Sequence, residues 1–303
     1  MRTLPSLSPD RAAPPPTALI RANAPAPIDS KPSPAASMQA KASSMSSAAR
    51  GPRRAATLAL ATVTLVLPPW IAEAEPASPV PVEVFAEIEG AMPTGVAATP
   101  DGRLFLTWPQ WGDGAPFTLG ELVDGHPRPW PSAEANAWDP AAPSAALLSV
   151  QSAVPDAAGR LWALDTGAPG FQAPILGAAK LVAYDLASGE AVRTIPFGPQ
   201  VLLPTSYVND LRIDLGAGAA GTIYVTDSSL SGPGGIIVVD IASGTAIRRL
   251  SGHASTSPEP DFSMSFDGEP LRVRPAGAPP QPWRVASDGI ALSADGATLY
   301  WCA

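Results

Sequence analysis

Four times along the chain an apolar strand runs into a tight turn closed by glycine and returns as a second strand. The copies are Pro93 to Trp108, Val150 to Gly167, Ser206 to Asp227 and Ser287 to Cys302, with turn glycines Gly102, Gly159, Gly221 and Gly296 spaced 57, 62 and 75 residues apart. Period-two alternation and β-branched or aromatic residues on both sides of a glycine are the signature of paired strands. Behind two of the copies a second pair of strands recurs, starting at Leu181 and at Ile237, and each breaks at an Asp followed by a Ser-Gly turn (Asp185 and Asp240, 55 residues apart). Each repeat is therefore a four-stranded antiparallel meander. Such a unit cannot bury both its faces alone, and repetition at this period predicts an all-β chain of β-propeller blades.

The blades follow in order. Blade one runs from Thr94 to about Trp130, blade two from Leu148 to Phe197 and blade three from Tyr207 to Leu250. Pro-rich loops at 131–143 and 198–204 separate them, and Ser263 to Val273 reads as an inserted hairpin turning at Asp267-Gly268. The fourth blade starts at Asp288 and is two strands long when the sequence ends. In front of blade one, Val80 to Ile88 alternates as a lone strand, the kind that completes a last blade in a propeller. Trp108, Trp162 and Trp301 sit at or beside one repeated strand position and are expected in blade cores.

Residues 1–52 are rich in Pro, Ala and Ser without apolar periodicity, which predicts a disordered leader. Arg53 and Arg54 then precede 13 apolar residues, Ala55 to Leu67. As a helix this run would be about 20 Å long, short of the roughly 30 Å of a bilayer core. With Ala72-Glu73-Ala74 as a cleavage pattern, 53–74 reads as a signal peptide and 75–303 as an exported partial propeller, secreted or periplasmic and without stable membrane insertion. An uncleaved anchor is the alternative; the Arg pair also permits twin-arginine export.

Charge narrows the partners. Of 19 Lys and Arg, 8 lie in the first 74 residues, as do 3 of the 27 Asp and Glu, leaving 11 basic and 24 acidic residues and a net of −13 beyond them. A surface so acidic repels nucleic-acid phosphates and accepts a cationic ligand. The single cysteine, Cys302, has no intramolecular disulfide partner.

The repeats also point to a site. Eight residues before Gly102, Gly159 and Gly296 stand Thr94, Gln151 and Asp288; the turn at Gly221 is four residues longer, which makes Asn209 the equivalent there. All four are polar and open an innermost strand, and in a propeller those starts ring one mouth of the central channel. Such a ring can hydrogen-bond a small ligand or offer oxygens to a hard cation. Asp210 and Ser152 follow as a second tier. Against this, polar residues at strand starts also serve backbone groups and channel waters.

The motifs at Val150–Gly167, Ser206–Asp214, Gly221–Ser228, Ile237–His253 and Asp288–Cys302 together resemble the major royal jelly protein/Yellow family, in particular bacterial members related to L-dopachrome tautomerase. The resemblance runs from Val82 to Cys302. It implies a secreted six-bladed propeller with a ligand-binding channel, of which about three and a half blades and an N-terminal closing strand are expected here. It further implies a small ligand such as an amine, a phenol or an indole-quinone, and an isomerase acting on dopachrome-like quinones in which Asp288 or Asp210 shuttles a proton. A more distant resemblance to calcium-dependent gluconolactonase propellers implies Asn209 and Asp288 as ligands for Ca²⁺. Thr94 stands where those proteins carry Glu, which leaves one charged ligand and tells against lactonase chemistry.

Other chemistries lack their residues. No His-x-His or Cys-x-x-Cys occurs for zinc, and no Lys follows the Gly232–Gly235 turn for a phosphate loop. Asp165-Thr166-Gly167 resembles an aspartic-protease tripeptide, but Asp227-Ser228 occupies the same place in the next repeat, which makes the position structural.

Overall fold

A computed structural model describes residues 82–274 and 277–303, together with the backbone of 18–22. The leader, the signal segment and its cleavage pattern otherwise lie outside the described residues. The chain is all-β, with three short 3-10 turns as its only helical segments among the described residues.

Strand β1 (Ala18–Ala22) pairs in parallel with β2 (Glu83–Ile88). Blade one consists of β3 (Gly95–Ala98), β4 (Leu104–Thr107), β5 (Leu119–Val123) and β6 (His126–Pro129). Blade two is β7 (Val150–Pro155), β8 (Arg160–Asp165), β9 (Lys180–Asp185) and β10 (Ala191–Pro196); blade three is β11 (Val208–Asp214), β12 (Thr222–Asp227), β13 (Gly235–Asp240) and β14 (Ala246–Arg249). Each is a four-stranded antiparallel meander in chain order. Two small hairpins follow, β15 (Ser265–Phe266) with β16 (Glu269–Pro270), and β17 (Arg272–Val273) with β18 (Gln281–Pro282). The first turns at Asp267-Gly268, both with positive φ, as expected. The last hairpin, β19 (Ile290–Leu292) and β20 (Leu299–Trp301), is the fourth copy of the inner strand pair.

The turn glycines work as the repeats require. Gly102, Gly159, Gly221 and Gly296 have φ of 87°, 76°, 106° and 72°, a region closed to most side-chain-bearing residues. In the three short turns the glycine N–H donates back to Thr99 (2.9 Å), Asp156 (3.2 Å) or Ser293 (2.9 Å). A side-chain oxygen of the same residue accepts the N–H of Arg103, Arg160 or Thr298 as the second strand begins.

Inner strands β3, β7, β11 and β19 stand side by side in that order. Between them the blades bury their faces: Val150, Ala153, Leu161 and Ala163 pack on Phe105 and Leu119, while Leu164, Leu181 and Ile195 pack on Leu211, Val225 and Ile237. Trp162 and Trp108 are buried, as expected, but Trp301 is half-exposed and donates its indole N–H to the Ser255 carbonyl at 2.6 Å. The difference is one of register: Trp162 faces Val154 deep within its strand pair, whereas Trp301 faces Ile290 at the end of a two-stranded unit. The strand read as closing a last blade, β2, has Ala18–Ala22 as its sheet partner among the described residues, and it packs Ile88 beside Leu106 and Trp108.

Candidate functional site

Thr94, Gln151, Asn209 and Asp288 all line one cavity of about 770 Å³, along with Ser152, Asp210 and Arg212 from the inner strands. Two bulges explain how blades two and three present their polar residues. The β7–β8 register shifts between Val150 and Ser152, and the β11–β12 register shifts between Val208 and Leu211, so Gln151 and the pair Asn209-Asp210 have no cross-strand partners. A bulge frees a residue from the ladder and re-aims its side chain.

The residues gather into three groups. Asn209 donates its amide N–H to the Asp288 carboxylate and to Ser228 Oγ, the latter at 3.0 Å. Ser228 in turn donates to the Ser287 carbonyl at 2.7 Å. Asp288 is fixed through its backbone: its carbonyl accepts from Thr226 Oγ1 at 2.7 Å and its N–H donates to the Cys302 carbonyl at 2.8 Å. Gln151 belongs to a separate chain of bonds, in which Trp111 Nε1 donates to Tyr207 Oη (2.8 Å) and Tyr207 donates to Gln151 Oε1 (2.7 Å). In the third group Asp210 Oδ1 accepts from Ser152 Oγ (2.8 Å), Arg212 Nη1 (2.9 Å) and the Leu211 N–H (2.8 Å). Thr94 lines the cavity without joining any group; its Oγ1 is buried and has no hydrogen-bond partner among the described residues.

Burial pushes the Asp288 carboxyl above the usual carboxylate range; the Ser228 hydroxyl offsets part of this, and the Asp210 charge adds to it. No Lys, Arg or His nitrogen lies within 4.0 Å of Asp288 among the described residues, whereas Asp165, Asp210 and Asp227 are paired with Lys180, Arg212 and Arg248. Among the described residues no three His, Cys, Asp or Glu side chains gather in a metal-binding group. Asp288 and Asn209 supply one carboxylate and one amide, short of the six to eight oxygens Ca²⁺ takes.

The sequence does not reveal the aromatic wall. Trp111, Phe171, Tyr207 and Trp283 line a second cavity of about 290 Å³ that shares Gln151, Asn209 and Asp288 with the first. Phe171 stacks on Trp111 at 5.1 Å between ring centroids, lies 5.0 Å from Tyr207 and meets Trp283 edge-on at 6.3 Å. Three of these rings come from loops, where no periodicity marks them; only Tyr207 carries a signal, two residues before Asn209 at the head of an inner strand. Phe171 holds a positive φ of 57°, directly after Gly170 at 59°. Strained non-glycine residues of this kind concentrate at ligand clamps.

The model of the family described as major royal jelly protein matches residues 148–302, just over half of the chain. Protein yellow of Drosophila pseudoobscura pseudoobscura is 29% identical over 137 residues, covering 42% of this chain and 24% of that protein. Protein yellow of Drosophila subobscura is 30% identical over 135 residues, covering 42% and 23%. The chain thus spans about a quarter of the length of the curated relatives it matches. A solved structure of YCF48 bound to D1 peptide aligns at a TM-score of 0.33 and 11% identity over 55% of this chain and 42% of that one, too slight a likeness to carry an argument. Gln151, Asn209, Asp210 and Asp288 fall within the family match; Thr94 precedes it. No helix among the described residues is long and apolar enough to cross a membrane.

Proposed function

The chain belongs to the major royal jelly protein family, and on that premise we propose that it binds a small cationic aromatic molecule, an arylalkylamine in chemical class, at the channel mouth between Asp288 and the aromatic wall. One observation carries the reading: Asp288 is a half-buried carboxylate with no cation of its own, in a wall where Asp165, Asp210 and Asp227 each have one. Keeping an uncompensated charge out of water is costly, and an ammonium ion removes that cost. Trp111, Phe171, Tyr207 and Trp283 stand across the adjoining cavity, where aromatic faces attract both a cation and a flat ring. Asn209 and Ser228 hold Asp288 in place for the ligand.

Isomerisation of a quinone is the second reading, and the elevated Asp288 carboxyl favours it. A group of that kind beside a cavity can take a proton from a bound quinone and return it at another carbon. Export before ligand encounter completes the proposal, resting on the apolar run and small-residue pattern of 53–74. Calorimetry of the purified protein with tyramine tests the binding reading. Saturable binding that is lost in Asp288→Asn is expected; affinity unchanged in that variant would move the site elsewhere.

A further inference from the structure

We propose that the ligand carries an anionic group as well as an amine, and that Arg212 reads it; the inference rests on the assignment of Asp288 to the amine. Arg212 lies two residues beyond Asp210 on β11. Its Nη1 donates to Asp210 Oδ1 at 2.9 Å and to the Leu211 carbonyl at 2.5 Å. Its Nε and Nη2 donate to no atom among the described residues. The side chain is 36% exposed. It lines the 770 Å³ cavity and also a further one of about 460 Å³ bounded by Val154, Ile213 and Leu292. The guanidinium therefore stands where the two cavities meet, one edge of its fork held by Asp210 and the other turned to open space. A planar fork of N–H donors fits a carboxylate or a sulfonate, which can accept two of them at once.

Position sets the shape of the ligand. Asn209, whose amide holds the Asp288 carboxylate, precedes Arg212 by three residues on the same strand. At about 3.3 Å per residue the two charged ends of the site are roughly 10 Å apart, somewhat less where the bulge shortens the strand. An α-amino acid brings its charges too close together to reach both. An aromatic ring with an aminoalkyl chain at one end and a carboxylate or sulfonate opposite spans the gap, with the ring in the channel beside Thr94. The buried, unpartnered Thr94 Oγ1 gives such a core a hydrogen bond.

Calorimetry with three probes separates the two ends. Para-(aminoethyl)benzoate carries both groups, para-methylphenethylamine only the amine and para-ethylbenzoate only the anion. The aminoethylbenzoate is expected to bind at least about tenfold more tightly than the methyl amine, the effect of one charge-assisted contact. That gain should vanish in Arg212→Gln, with affinity for the methyl amine unchanged, and partly persist in Arg212→Lys. Asp210→Asn combined with Arg212→Gln guards against misfolding from a carboxylate left unpaired, and should also abolish the gain. Equal affinity for the two amines in the parent protein, or a gain that survives Arg212→Gln, overturns the inference while leaving the amine reading standing. Ethylbenzoate binding as well as aminoethylbenzoate, with Asp288→Asn silent, overturns the amine reading but leaves Arg212 as an anion reader. Binding of none of the three overturns both.

Discussion

Blades two and three end their second strand in a carboxylate that has a cation, whereas the fourth inner strand begins with one that has none. Asp165 faces Val150 across β7–β8, and Asp227 faces Val208 across β11–β12. Both are fully buried. Asp165 accepts the N–H groups of Leu148, Ser149 and Gly167 and the Lys180 ammonium. Asp227 accepts from Ser206 Oγ, the Tyr207 N–H and Arg248 Nη1. These clasps tie the entering loop to the end of the second strand. Thr107 holds that position in blade one, where it donates to the Gln151 carbonyl of the next blade at 3.0 Å. In the last hairpin it falls to Cys302, whose N–H donates to the Gly289 carbonyl. A buried carboxylate with a full set of donors and a cation is structure. One with an amide, a hydroxyl and no cation is available to a ligand.

Breaking a clasp gives the largest effect. Lys180→Ala leaves Asp165 buried with no cation, at a cost of about 3–5 kcal/mol in urea unfolding. Arg248→Ala should approach that value, since its side chain is 7% exposed and Asp227 is fully buried. A loss below about 1 kcal/mol, the range of an exposed ion pair, would erase the distinction between clasp and site.

The opposite behaviour is expected at the unpaired carboxylate. Asp288→Asn should weaken tyramine binding by about 1–3 kcal/mol, the value of a hydrogen bond to a charged group. Asn209→Ala should weaken it less, because it loosens the carboxylate without removing it. Titration calorimetry reads both, and an Asp288→Asn variant that unfolds as Lys180→Ala does would class Asp288 with the clasps.

The repeats were legible because their demands are local. A turn that needs positive φ selects glycine, and each inner strand pair announces itself within some sixteen residues. The four polar ring positions were legible for the same reason, by counting back from those glycines. The cations were not. Blade two takes its cation from the first residue of its third strand, Lys180, and blade three from its fourth strand, Arg248, so no common spacing links Asp to partner. Nor were the bulges at Gln151 and Asn209-Asp210, which depend on pairing with a strand more than ten residues away. Trp111, Phe171 and Trp283 reach the mouth from loops, where the pattern of a strand gives no guide.

A smaller effect tests whether the turns are equivalent. Gly102→Ala and Gly159→Ala should each cost about 1 kcal/mol from backbone strain alone, since an added Cβ at either meets nothing within 4 Å. Gly221→Ala should cost more, because there the Cβ would meet Ile241 and Leu215 at 3.0 Å and the Asp214 carbonyl at 3.1 Å. Equal midpoint shifts for all three would mean the long turn yields more readily than its packing suggests.

The subtlest test lies in the pH dependence of Asp288. Its carboxyl is raised above the ordinary 3.8 by burial, so the folded protein holds that proton more tightly than the unfolded chain does. Deprotonation therefore works against folding. Its destabilising contribution is absent below 3.8 and grows as pH rises through the elevated value. The sign is opposite for any carboxylate whose value is depressed on folding. Asp288→Asn removes the titration and should be at least as stable as the parent at neutral pH, with the two stability curves converging in acid. Amine affinity runs the other way: only the ionised carboxylate attracts the ammonium, so binding should weaken as pH falls through the elevated value. Urea midpoints between about pH 3 and pH 8, measured for parent and variant without ligand, decide the point. Parallel curves would mean that Asp288 ionises as freely in the folded protein as in the unfolded chain, and the contrast with the clasped carboxylates would lose its electrostatic basis.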